Sequence, residues 1–158
     1  MCGIAGYFGH QKLSSRVIFS TLNLMKSRGP DYSDSFTHFK GNKRINLLHS
    51  RLSIIDLKQR SNQPFVIGSY VIIFNGEIYN FESLRKNLNI QKTKFSTNSD
   101  TEVLLKYYIK YGARCLEYFE GMWSFAIYNK INGELFLARD RFGEKPLFYF
   151  KDNQNFYF

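Results

Sequence analysis

The sequence predicts an α+β fold. Strand-like runs come in hairpins near both ends of the chain, helical stretches group between them, and no regular βαβ alternation is legible. At 158 residues, the chain has the length of one domain, residues 1–158, large enough to bury ~70% of its unfolded surface around a single core.

Residues 4–8 read as a buried strand. Ser14 then opens a helical stretch, with Val17, Ile18, Leu22 and Met25 on adjoining faces, that stops before Gly29 and Pro30. Residues 35–39 and 45–49 form a hairpin turning through Gly41 and Asn42. An irregular segment, 50–64, follows. Residues 70–74 are a β-branched and aromatic strand running into Asn75-Gly76, a strong turn dipeptide. A short helix covers 81–88. Ser99 and Glu102 have the spacing of a capping box, which starts a helix through Val103, Leu104, Tyr107 and Tyr108 that Gly112 ends. Residues 122–128 and 134–138 form a hairpin through Asn132-Gly133, and the last strands cover 147–150 and 156 onward. The final apolar run reaches Phe158, whereas natural termini are usually polar and frayed, so the polypeptide is expected to continue.

Composition narrows the function classes. Two cysteines, Cys2 and Cys115, are too few for a disulfide framework, and without a legible secretory leader a reducing, cytoplasmic setting is expected. No apolar run is long enough to span a bilayer as a helix, so no membrane partner is expected. A net charge of +9 with 18% aromatic residues raises nucleic-acid binding. The basic residues are scattered, however, and runs such as Phe148-Tyr149-Phe150 and Phe156-Tyr157-Phe158 read as core, so no nucleic-acid partner is expected.

Cys2 follows Met1, and Met before a small residue is usually removed. The resulting terminus would carry a thiol beside a free α-amine, with ordinary pKa values near ~8.5 and ~7.7 to 8.0. A neutral amine can take the thiol proton, as an N-terminal threonine uses its own amine. The alternative for Cys2 is a small apolar residue at the start of a strand.

Seven blocks, in order, carry a resemblance. They are Met1-Cys2-Gly3-Ile4-Ala5-Gly6, Arg28-Gly29-Pro30-Asp31, Arg51-Leu52-Ser53-Ile54-Ile55-Asp56, Asn75-Gly76-Glu77-Ile78-Tyr79-Asn80, Ser99-Asp100-Thr101-Glu102, Gly121 to Ala126 and Arg139 to Leu147. Together they resemble class II glutamine amidotransferases, and the last two resemble the glutamine-hydrolysing asparagine synthetase branch. The resemblance implies an N-terminal nucleophile hydrolase fold, a four-layer αββα sandwich of antiparallel sheets.

It also implies chemistry. Cys2 would attack the side-chain amide of L-glutamine, its own amine acting as base, which fits the lack of a catalytic motif around His10, His38 or His49. Asn75 and Gly76 would form the oxyanion hole, whose donors are worth ~3 to 4 kcal/mol each. Arg51 would grip the α-carboxylate and Asp100 the α-ammonium. Main-chain groups of Leu52, Ser53, Ile54, Ile55 and Glu77 would complete the pocket. Taken singly, Asn75-Gly76 is an ordinary hairpin turn, Arg51 a solvated loop charge and Asp100 a favourable acid in a helix first turn.

Ser27 and Ser50 depart from the histidine and glutamate common at these places in the family, neither at a catalytic position. The chain has no Gly-Gly dipeptide, Walker loop or dinucleotide fingerprint. No cofactor or metal is therefore expected in it. By the resemblance, ATP and Mg2+ belong to a C-terminal synthetase domain, which would take up the ammonia and transfer it to aspartate or another acceptor. Arg139 to Leu147 is either a loop facing that domain or a loop stapled by its own charges, and a full-length protein would form a homodimer. The other reading of the whole chain is a catalytically silent interaction or regulatory module of the same fold.

Overall fold

The computed structural model describes residues 1–90 and 92–158. Two antiparallel sheets face each other. The first has the order β2-β3-β1-β9-β8, built from β1 (Gly3–Gly9), β2 (Tyr32–Lys40), β3 (Lys43–Arg51), β8 (Phe150–Lys151) and β9 (Asn155–Tyr157). The second has the order β4-β5-β6-β7, from β4 (Phe65–Ile67), β5 (Tyr70–Ile78), β6 (Gly121–Asn129) and β7 (Leu135–Arg139).

Ile45 and Leu47 of the first sheet pack against Val71, Ile73, Ala126 and Tyr128 of the second, and all six are buried. The opposite face of the second sheet, with Ile72, Phe74, Phe125 and Ile127, is covered by α2 (Phe81–Ile90) and α3 (Asp100–Tyr111). Helix α1 (Ser15–Met25) lies on the first sheet against β1, β2 and β3. The result is the expected four-layer αββα sandwich. Among the described residues, no helix is long and apolar enough to cross a membrane.

Several local expectations are corrected. Asn75-Gly76 is not a turn: β5 runs straight through it, with Asn75 opposite Ser124 and Gly76 opposite Trp123 on β6. Tertiary pairing overrides the local turn signal there. The hairpin around Gly41 and Asn42 stands where expected, but β3 continues to Arg51. Three-residue β4 lies beyond the irregular segment and pairs with β5 through a turn at Gly68 and Ser69. Of residues 147–150 only Phe150 is in a strand, and Phe148, Tyr149 and Phe150 are 81%, 73% and 64% exposed, so these rings are surface and not core.

The capping box is one-sided. Ser99 caps α3 by accepting the N–H of Glu102, but the Glu102 carboxylate reaches past Ser99 to the N–H groups of Ser96 and Thr97. It thereby fastens the loop that leads into Asp100.

Candidate active site

Antiparallel register builds the first half of the site. Gly3 on β1 pairs with Ser50 on β3, which brings Cys2, one residue before β1, alongside Arg51 at the end of β3. Arg28 donates from Nε to the Cys2 carbonyl at 3.1 Å. Gly29 packs so tightly against the Ser50–Arg51 peptide that a Cβ would lie 2.2 Å from the Ser50 carbonyl carbon. The Arg28-to-Asp31 block thus braces both strand ends.

The second half comes from β5 and α3. Main-chain N–H groups of a strand alternate between its two edges. Tyr79, just past β5, donates to Glu120 on the β6 side. Phe74 and Ile78 donate to the other edge, Phe74 to Gln63 Oε1 at 2.7 Å and Ile78 to Asp100 Oδ2 at 3.2 Å. Gly76 has the same parity as Phe74 and Ile78, so its N–H emerges between Gln63 and Asp100. A side chain at Gly76 has no room: a Cβ would lie 2.2 Å from Met122 O and 2.7 Å from Trp123 Cα.

These parts line one open cleft with about 70 Å³ of space inside it. Cys2, Arg51, Leu52, Ile54, Ile55, Asn75, Gly76, Glu77 and Asp100 all border it. Ser53 does not. Its N–H is held by Asp31 Oδ2 at 2.7 Å, and it borders a separate surface hollow with Tyr32 and Leu57. Thr101 and Met122, which the sequence blocks contain without a site role, also line the cleft, and so does Gln63, which the sequence did not single out. Gln63 sits in the segment read as irregular, where no periodicity marks a buried polar side chain.

The Cys2 thiol lies 3.7 Å from the Leu52 carbonyl, to which it donates. Burial pushes its pKa up. The positive charges of the N-terminus and Arg51 pull it back, and Asp100 pushes it up again. A sulfur so placed stays protonated at neutral pH and needs a base. Met1 also lines the cleft.

Arg51 is buried, and its guanidinium staples the following loop. Nη1 donates to Lys58 O (3.2 Å) and Asn62 Oδ1 (2.7 Å), and Nη2 to Ile55 O (3.3 Å) and Asp56 O (2.6 Å). A carboxylate arriving at this face meets the full positive charge. A two-pronged grip requires displacing a loop carbonyl, and the Ile55 contact is the longest of the four.

Asp100, at the start of α3, also accepts the N–H of Thr101 at 2.8 Å. Burial, with a further push from Glu77, raises its pKa to about 6 against the hydrogen bonds from Ile78 and Thr101. Asn75 is buried and borders the cleft with Cys2, and its amide oxygen has no donor among the described residues. His49 is buried between the sheets, donating through Nε2 to Phe74 O at 3.1 Å, and burial lowers its pKa to about 4. It is neutral, faces the strand and does not border the cleft. Among the described residues no cluster of metal-ligating side chains occurs.

The loop after β7 is stapled by a single carboxylate. Asp140 accepts the N–H groups of Trp123, Phe142, Glu144 and Lys145, which holds its pKa below the usual range. Phe142 nevertheless stands 88% exposed at its tip.

The fold is that of Bacillus subtilis glutamine phosphoribosylpyrophosphate amidotransferase, solved in complex with ADP and GMP. The two superpose with a TM-score of 0.78 at 20% identity, over 98% of this chain and 40% of that one. Asparagine synthetases (glutamine-hydrolysing) 3 and 1 of Bacillus subtilis are 36% and 39% identical to this chain over its whole length. The chain spans only 26% and 25% of those two proteins. With the profile of the glutamine amidotransferase domain matching residues 1–158 from end to end, the chain belongs to that family.

Proposed function

We propose that this chain is the glutaminase domain of an asparagine synthetase-like amidotransferase, hydrolysing L-glutamine to glutamate and ammonia. The observation that carries the reading is the single cleft in which Cys2, Arg51, Asn75, Gly76 and Asp100 meet, from four separate stretches of chain.

After loss of Met1, the Cys2 amine takes the thiol proton and the sulfur attacks the glutamine side-chain carbonyl carbon. The oxyanion forms against the Gly76 N–H and the Asn75 side-chain amide, in a site where such donors are worth most. The amine passes its proton to the departing nitrogen, ammonia leaves, and a γ-glutamyl thioester remains. Water, deprotonated by the same amine, attacks the thioester and releases glutamate and the thiol. Arg51 and Asp100 hold the amino acid's two charges, which sets the length of side chain that reaches Cys2.

On this proposal the domain continues into an ATP- and Mg2+-dependent synthetase domain, in keeping with relatives about four times as long. The exposed rings of Phe142 and Phe148 suit a face turned toward that domain. Ammonia would pass to an acceptor activated there, with aspartate giving asparagine as the relatives' name suggests. The full-length protein would be cytoplasmic and homodimeric.

The test is glutamate release from glutamine by protein whose N-terminal residue is Cys2 by mass spectrometry, assayed as the full-length chain. A Cys2→Ala protein is the control. Folded full-length protein with a free Cys2 that makes no glutamate, with or without the acceptor substrates, supports instead a silent module of the same fold.

A further inference from the structure

Gln63 is 5% exposed, carries no charge and lines the cleft. Its Oε1 accepts the N–H of Phe74 at 2.7 Å, and its Nε2 donates to Thr101 Oγ1 at 3.2 Å. The Phe74 N–H can only donate, so it fixes the amide orientation and turns the NH2 toward Thr101. Phe74 lies two residues before Gly76 on β5, and Thr101 follows Asp100 on α3.

Helix α3 is therefore fastened to β5 at two points on either side of Gly76. One is direct, Asp100 to the Ile78 N–H. The other is the Gln63 bridge between Phe74 and Thr101. The two respond differently to substrate. An ammonium group drawn to Asp100 competes for the carboxylate that holds Ile78, and so loosens the direct bond. The Gln63 bridge involves no group that glutamine must use, and it stays closed.

We propose that Gln63 is a positioning residue. It holds the Asp100 end of α3 at a fixed distance from the Gly76 oxyanion donor while substrate occupies Asp100, and so sets the side-chain length that the site turns over. The proposal rests on the glutaminase reading and deepens it. A shift of about 1 Å between binding and reacting groups costs on the order of 100-fold in rate. A site that rejects a substrate one methylene shorter has a margin of only ~10- to 200-fold to lose.

The experiment compares wild-type, Gln63→Leu, Gln63→Asn, Thr101→Val and Thr101→Ser proteins as full-length chains. It measures kcat and KM for glutamine and for asparagine, with folded protein matched by thermal melting. Gln63→Leu and Gln63→Asn are expected to lower kcat for glutamine about 10- to 100-fold and to narrow the glutamine-to-asparagine ratio of kcat/KM. Thr101→Val should narrow the same ratio, and Thr101→Ser, which keeps the hydroxyl, should restore it. The proposal is overturned if the ratio is unchanged in Gln63→Leu and Thr101→Val, including the case in which both substrates lose rate in equal proportion. If Gln63→Leu does not fold, Thr101→Val and Gln63→Asn decide by the same ratio. Wild-type protein without glutaminase activity would overturn the glutaminase reading itself, a result distinct from a wild-type activity that the variants leave untouched.

Discussion

Asp100 accepts the main-chain N–H of Ile78 at 3.2 Å, so the acid proposed to hold the substrate's ammonium is bonded to the strand proposed to hold its oxyanion. Its position at the start of α3 places it there, and burial with Glu77 nearby raises its pKa to about 6. The ammonium should bind the carboxylate and not the carboxylic acid.

Glutamine affinity should therefore depend on pH with a single proton linked to binding. In a Cys2→Ala protein, which binds without turnover, the dissociation constant should be flat above about pH 7 and rise about tenfold per unit well below pH 6. Titration calorimetry across pH 5 to 8 checks this, with Asp100→Asn expected to bind weakly and without the acid limb. A wild-type-like acid limb in Asp100→Asn would assign the proton to another group.

Met1 lines the cleft, and while it is attached the free amine belongs to it and not to Cys2. General bases contribute ~10²- to 10⁴-fold. A protein extended by one or more residues before Cys2 should lose at least about 100-fold in glutamine turnover while keeping its melting temperature. Proteolytic release of the extension to expose Cys2 should restore activity. Undiminished turnover by the extended form would show that another group takes the proton.

The parts of this site that were legible in the sequence are those where chemistry restricts the residue to one type. Cys2, Arg51, Asn75-Gly76 and Asp100 could be named because thiol, guanidinium, amide and carboxylate sit in a recognisable order. What the sequence hid is how the chain holds them. Asn75-Gly76 reads locally as a turn, and only pairing of Gly76 with Trp123 on β6 makes it strand. Gln63 carries no local signal, since its two partners, Phe74 and Thr101, are 11 and 38 residues away. Phe148 and Tyr149 have core composition but stand exposed, because residues 147–149 lie outside the sheet and Tyr149 only stacks on Phe156 of β9.

On the proposed function Arg51 has two tasks, and they should separate in substitution. Its guanidinium holds Ile55, Asp56, Lys58 and Asn62, and charged hydrogen bonds of this kind are worth ~1.5 to 3 kcal/mol each. Arg51→Lys keeps the charge but lacks the planar fork. It should raise KM for glutamine at least about tenfold, with a smaller effect on kcat, and should make residues 52–62 more susceptible to limited proteolysis. A KM effect without increased cleavage would mean that the loop is held independently of the guanidinium.

Two buried groups near the strand end should give stability opposite pH dependences. The pKa of His49 is lowered to about 4 by burial, with the Arg51 charge adding to the effect. Unfolded chains take up its proton near pH 6.5 while the folded protein resists, so its contribution to stability is present above that value and is lost as pH falls toward 4. The pKa of Asp100 is raised to about 6. Folded protein takes up that proton first, so stability is gained as pH falls through 6 and is lost again as pH rises. Each group acts with a slope of up to about 1.4 kcal/mol per pH unit, and in wild-type protein the two offset one another between pH 6.5 and 4.5. Asp56, with a pKa held down to about 2, acts only at lower pH. Urea unfolding at pH 6.5 and 4.5 should therefore show little change in wild-type midpoint, a fall on acidification in Asp100→Asn and a rise in His49→Gln. Three parallel curves would mean that neither group carries its shift into the folding equilibrium.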